Sequence, residues 1–133
     1  MVLHFTVNHY TGTDVVTWSL DKRYVMEHMT MTMGDGKVMK GLGVWTWDPR
    51  AKRFRTWWFD DWSGYGTSVA SYCPECRTLC FKGNTKNMAM GFKTVGEGCF
   101  RFIDDDTMEW NWKERIPWTP FTVMEMSGTS HRQ

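Results

Sequence analysis

Four cysteines offer the first candidate chemistry: Cys73-Pro74-Glu75-Cys76, followed by Cys80 and, further along, Cys99. A single C-x-x-C is half of a zinc-knuckle pattern. A structural zinc needs four ligands, so Cys80 and Cys99 would have to complete the set from strands that meet this hairpin on one face. The same spacing serves a disulfide, or a tight turn around Pro74 and Glu75 that thiols merely flank. A reducing cytosol favours free thiols. Nothing in the sequence supplies the βαβ context or helix N-terminus that would lower a thiol pKa for redox work. Cys73, Cys76, Cys80 and Cys99 are therefore weak metal candidates, and no cofactor is expected.

Met29-Thr30-Met31-Thr32-Met33 beside His28 would place three thioethers on one face of a strand. That is a soft array suited to Cu(I), although neighbouring methionines more often fill gaps in a core. His4, His9 and His131 lie near the ends and form no compact imidazole set with His28. The carboxylates Glu27, Asp60, Asp61, Glu109 and Glu125 are candidates for proton transfer. None sits in a nucleophile elbow, a metal-hydrolase helix motif or a phosphate-cradling glycine loop. A carboxyl enclosed by aromatic side chains would have its pKa raised by desolvation and could serve as a general acid or base, with Asp60 and Glu27 the foremost candidates.

These groups need elements to hold them, and the composition says which. Nine Trp, eight Phe, four Tyr and eleven Met in 133 residues make a bulky, soft apolar fraction that favours strands. Helical periodicity is absent. Short alternating runs separated by turn signals fall near 3 to 9, 13 to 19, 23 to 33, 38 to 48, 53 to 62, 65 to 73, 77 to 83, 88 to 95, 97 to 103, 107 to 114 and 121 to 127. Gly34-Asp35-Gly36, Asp48-Pro49-Arg50 and Asp104-Asp105-Asp106 carry turn chemistry. Strands joined this tightly are antiparallel neighbours, and about ten of them with no helix to cover their edges are expected to close into one barrel spanning residues 1–133. No linker, low-complexity segment or internal repeat stands out. A formal net charge of +1 with scattered basic residues argues against nucleic acid as a partner. No apolar run is long enough for a helical membrane span and the first residues lack a signal-peptide pattern, so the expected partners include no membrane and the expected location is cytoplasmic.

Several local motifs, in order, resemble a bacterial family of unknown function with a lipocalin-like barrel. They are Trp18-Ser19-Leu20-Asp21-Lys22-Arg23-Tyr24-Val25, Gly34-Asp35-Gly36, Gly41-Leu42-Gly43-Val44-Trp45-Thr46-Trp47-Asp48-Pro49, Trp58-Phe59-Asp60 and Asp105-Asp106-Thr107. The resemblance runs from about Gly12 to Gly128 and implies a fold and a cavity, with no agreed reaction or ligand. Such proteins usually begin with a further Gly- and Trp-bearing strand, which this chain lacks. The expected fold is thus an all-β, antiparallel, lipocalin-like barrel, incomplete at the N-terminus if that strand matters, with a partner chain then supplying the edge.

Alternation decides which side chains share a cavity. Phe54, Thr56, Trp58, Asp60 and Trp62 form one face of their segment, and the resemblance places Trp58 and Asp60 at a recurrent W-x-D step, so this face is expected inside. Arg23, Val25, Glu27, Met29, Met31 and Met33 share a second face, and Met108, Trp110, Trp112 and Glu114 a third. The expected site is a pocket walled by Trp58, Trp110, Trp112, Met29 and Met31, where Asp60, Glu27 and Arg23 orient an apolar or aromatic small molecule. The competing expectation is a barrel filled by its own side chains, with an Arg23–Glu27 ion pair inside and Asp60 capping a turn. Two other functions fit the same residues: a barrel enzyme of isomerase, cyclase or lyase type using Asp60 or Glu27, and a homodimer joined through outward tryptophans such as Trp57 and Trp62.

Overall fold

The computed structural model describes the backbone of residues 2–7, 10–87 and 91–133, and the side chains of residues 11–86 and 91–133. Ten strands follow one another: β1 (Val2–Val7), β2 (Tyr10–Ser19), β3 (Tyr24–Thr32), β4 (Val38–Asp48), β5 (Arg53–Asp60), β6 (Tyr65–Cys73), β7 (Thr78–Asn87), β8 (Phe92–Phe102), β9 (Thr107–Arg115) and β10 (Thr122–Arg132). Each pairs antiparallel with its sequence neighbours, and β1 pairs with β10 from Leu3↔Arg132 to Thr6↔Thr129, so the sheet closes into a barrel. Closure satisfies the backbone donors and acceptors that a free edge would expose. Pairing therefore runs round the whole ring without a strand from a partner. No helix is long and apolar enough to cross a membrane among the described residues.

The turns follow the local chemistry of the sequence. Asp35 accepts the Lys37 amide at 3.0 Å while Gly36 takes φ +82°. Asp48 accepts the amides of Arg50 and Ala51, each at 3.0 Å, and Asp104 that of Asp106 at 2.8 Å. These amide bonds hold the Asp48 and Asp104 carboxyls below the usual carboxylate range.

One expected boundary is wrong. The sequence splits 88 to 95 from 97 to 103, whereas β8 runs unbroken from Phe92 to Phe102. Gly96, which falls in the gap between the two expected strands, serves a close approach: a Cβ there would collide with the Trp112 ring. The actual reversal precedes Phe92, and the expected strand's first residues, Met88 to Met90, lie outside the described residues.

Burial alternates along the strands, as in β3, where Met31 is buried and Met29 half-buried while His28, Thr30 and Thr32 are exposed. The inner face is nevertheless not sealed. Met31 and Ala70 are the buried hydrophobics among the described residues, and the accessible surface is 8638 Å². A folded monomer of 15.7 kDa should expose about 7,300 Å². The excess goes with large side chains left in contact with water, among them Trp18, Trp47, Trp118 and Phe121, while the inward rings are half-buried.

Candidate ligand site

Register assigns the inner face. Glu27 pairs with Gly43 and Gly43 with Trp58, while Met29 pairs with Gly41 and Gly41 with Asp60, so these residues share one side of the sheet. Phe54 and Thr56 follow in the same alternation, opposite Trp57 and Phe59. Contacts between distant strands identify that side as the lumen. Trp45 on β4 meets Phe81 on β7 at 5.9 Å and Phe100 on β8 at 5.8 Å, which non-neighbouring strands achieve across the interior. Phe81 lies 4.9 Å from Phe100 and stacks on Trp112 at 5.3 Å with an interplanar angle of 16°. Offset and edge contacts of this kind hold rings in fixed relative orientations.

A unit recurs that the sequence did not reveal as a repeat. On β4 and β5, Gly43 pairs with Trp58 and Gly41 with Asp60. On β8 and β9, Gly98 pairs with Trp112 and Gly96 with Glu114. In both units the indole lies across the strand over the first glycine, Gly41 or Gly96. In both, the indole N–H donates to the carboxylate two residues on: Trp58 Nε1 to Asp60 Oδ2 at 3.2 Å, and Trp112 Nε1 to Glu114 Oε1 at 2.9 Å. A third indole, that of Trp45, donates to Glu27 Oε2 at 3.1 Å from the neighbouring strand. Each carboxylate thereby fixes a ring plane.

The structure separates the expected site residues. Met29 and Met31 do face inward, with Met31 the buried centre of a cluster that includes Met29, Met33, Met39, Trp110 and Met126. This is gap-filling packing, and no group of three or more His, Cys, Asp or Glu side chains among the described residues could hold a metal. Arg23 is corrected: it is exposed in the turn between β2 and β3, where its carbonyl accepts from Thr46 Oγ1. Positive φ at Leu20, Asp21 and Lys22 shows the strand alternation ending before it. Glu27 accordingly pairs with an indole and not with Arg23. Trp62 likewise lies beyond the end of β5, 40% exposed.

Asp60 caps its own turn, accepting the amides of Trp62 at 3.1 Å and Gly64 at 2.7 Å besides the Trp58 indole. Of the other carboxylates, Asp61 accepts the Lys40 amide at 3.0 Å, Glu109 pairs with Arg101 at 2.6 Å, and Glu125 is exposed. The expectation of free thiols is overturned as well. Cys73 is joined to Cys76 across the β6–β7 turn, and Cys80 to Cys99 between β7 and β8. Cys80 and Cys99 are directly opposed in register with Cα atoms 4.1 Å apart, which brings their sulfurs together.

Three residues essential to the lining were missed, namely Trp45, Phe81 and Phe100. The alternation Gly41, Gly43, Trp45 was a signal for the first. Asp14 was missed too. It lies on β2 opposite Met29, one alternation step from Val16, which is opposite Glu27. Asp14 is 8% exposed, its Oδ1 has no hydrogen-bond partner, and the same holds for the Oγ of Ser130, 0% exposed on β10. Burial, with the nearby Glu27 charge adding to it, pushes the Asp14 carboxyl up to about 8. Burial also raises Glu27, against the opposing effect of the Trp45 hydrogen bond. Glu114 is 5% exposed and accepts from Thr94 Oγ1 at 2.9 Å, with Thr85 extending the chain.

An open depression of about 430 Å³ lies on the outer wall beside Cys99, Arg101, Glu109 and Asn111, and another of about 350 Å³ at the rim near Asp104 to Asp106 and Arg132. Neither includes the enclosed carboxyls. No family model and no curated protein matches this chain.

Proposed function

We propose that this chain is a lipocalin-like binding protein that holds an apolar or aromatic small molecule inside its barrel. The observation that carries the reading is the ring cluster Trp45, Phe81, Phe100 and Trp112, which spans the lumen yet stays half-buried. A planar ligand gains stacking on such rings without the protein having to order them first, because the indoles of Trp45 and Trp112 are tied to carboxylates. The test is a titration with 1-naphthalenemethanol followed by quenching of tryptophan fluorescence. Saturable binding that is lost in Trp112→Ala and weakened in Trp58→Ala is expected. No binding, or binding untouched by both substitutions, overturns the reading.

The enzyme reading keeps one specific support: burial raises the carboxyls of both Glu27 and Asp14, that of Asp14 to about 8, and a raised carboxyl can serve as a proton donor to a bound molecule. Glu27→Gln that spares binding but stops turnover would establish it. Asp60 is less suited, since its carboxylate already accepts three hydrogen bonds. A dimer would use the outer rows Met26, Val44, Trp57 and Leu42, Phe59, Tyr65, and sedimentation at rising concentration tests it. For location, the expected cytoplasmic residence requires that the four thiols be reduced in the cell. The paired cysteines weigh against it, because disulfides persist where the surroundings oxidise. Alkylation of the thiols in acid-quenched cells decides the point.

A further inference from the structure

We infer that the molecule this lumen takes is an organic cation, an ammonium group carried on an aromatic or apolar body. The inference rests on the binding reading above and narrows it to one charge class.

Charge is distributed unequally between the two faces of the wall. By register, the inner face of the described strands carries Asp14, Glu27, Asp60 and Glu114. Arg132 is the one basic residue in inward register there. It sits exposed at the chain's end, in the rim depression beside Asp104, Asp105 and Asp106, and its amide donates to the Asp106 carbonyl at 2.7 Å. The other lysines and arginines of the described strands alternate outward; Lys40, Arg55, Lys82, Arg101 and Lys113 among them are exposed, and Lys86 and Arg115 are half-buried. An interior lined by one sign of charge behind a low-dielectric wall concentrates the opposite sign.

Two of the four acids are fully occupied. Asp60 caps its turn and Glu114 holds Thr94 and Trp112. Asp14 and Glu27 are different: they lie one alternation step apart on neighbouring strands, neither forms an ion pair with a described Lys or Arg, the inward Arg132 being separated from Asp14 by Leu3 of β1, and Asp14 Oδ1 is enclosed without a partner. Ser130 supplies a second buried, unpartnered oxygen from β10, the far side of β1. Buried polar oxygens without a partner are uncommon, and a polar group of a bound molecule accounts for both. An ammonium offers up to three N–H groups and the charge that lets both carboxyls ionise. The indoles of Trp45 and Trp58 add the rest: their N–H edges are turned to carboxylates, so it is their rings that can meet the cation and its apolar body. A carboxylate or phosphate ligand would instead bring a further negative charge among these four acids and no N–H for their oxygens.

The experiment compares three probes of one shape: 1-naphthylmethylammonium, 1-naphthalenemethanol and 1-naphthoate, titrated at low salt by calorimetry. The ammonium should bind at least tenfold more tightly than the alcohol, and the naphthoate should not bind. Asp14→Asn combined with Glu27→Gln should bring ammonium and alcohol to parity. Should the double variant fail to fold, Asp14→Asn alone should still remove most of the preference. If the alcohol binds and depends on Trp112 but the ammonium binds no better, the cation inference fails and the binding reading stands. If none of the three binds, both fail. A preference for ammonium that survives loss of both carboxyls also overturns the inference.

Discussion

Asp14→Asn should make the unliganded barrel more stable as pH rises, by an amount that the position of Asp14 determines. In the unfolded chain an aspartyl carboxyl ionises near 3.8, while in the barrel burial holds Asp14 to about 8. Between these values the unfolded state has released a proton that the folded state keeps. Stability therefore falls by about 1.4 kcal/mol for each pH unit across this window and levels off above it. The sign is that of a raised carboxyl, with stability fullest below about pH 4 and lost as pH climbs towards 8. Over roughly four units the loss is on the order of 5 kcal/mol, comparable to the whole stability of many domains. The asparagine side chain keeps the shape and removes the titrating proton, so any cost of its own unpaired amide is the same at every pH. The assay is urea unfolding followed by tryptophan fluorescence at pH 4, 5.5, 7 and 8.5, with the disulfides intact. The stability difference between variant and parent should grow steadily with pH to several kcal/mol. A difference that stays flat within about 1 kcal/mol would refute the reasoning, since Asp14 would then ionise as freely in the barrel as in the unfolded chain.

Gly96→Val should displace the Trp112 indole and destabilise the fold by about 2 to 4 kcal/mol, seen as a lower urea midpoint and altered near-ultraviolet circular dichroism. Glu114→Ala should cost about 2 kcal/mol in the same unfolding assay, because it leaves the Trp112 N–H without its acceptor and Thr94 with Thr85 alone, whereas Glu114→Gln should recover part of the loss. Opening the Cys80–Cys99 bond by a double serine substitution should lower stability by about 3 kcal/mol, from the loop it closes over a separation of 19 residues. Asp60→Ala should cost about 1 to 2 kcal/mol through loss of the turn cap and leave amide exchange fastest around Trp62 and Gly64.

Local chemistry was legible wherever it depends on a few consecutive residues. Alternation gave the faces of Glu27, Met29 and Met31, of Trp58 and Asp60, and of Trp110, Trp112 and Glu114, because side chains in a strand change sides every residue whatever their neighbours do. The turns at Asp35, Asp48 and Asp104 were legible because an aspartate caps amides two or three residues ahead of itself. The absence of covering helices, read together with tight turns, was enough for antiparallel strands and a closed ring. Reading failed where a residue's role belongs to another strand. Gly96 falls in a gap between expected strands, but it pairs with Gly83 and Glu114 in mid-strand and leaves room for the Trp112 ring over it. Arg23 shares the parity of Glu27, but the turn ends the strand before it, and parity has no meaning outside a strand. The repeated pairing of a tryptophan with a carboxylate over a glycine is scattered across four strands, so register had to bring it together. The pairing of the cysteines and the enclosure of Asp14 beside Glu27 were likewise decided by the tertiary structure. Sequence spacing measures distance along the chain, whereas sulfur bonding and desolvation depend on distance and burial in space.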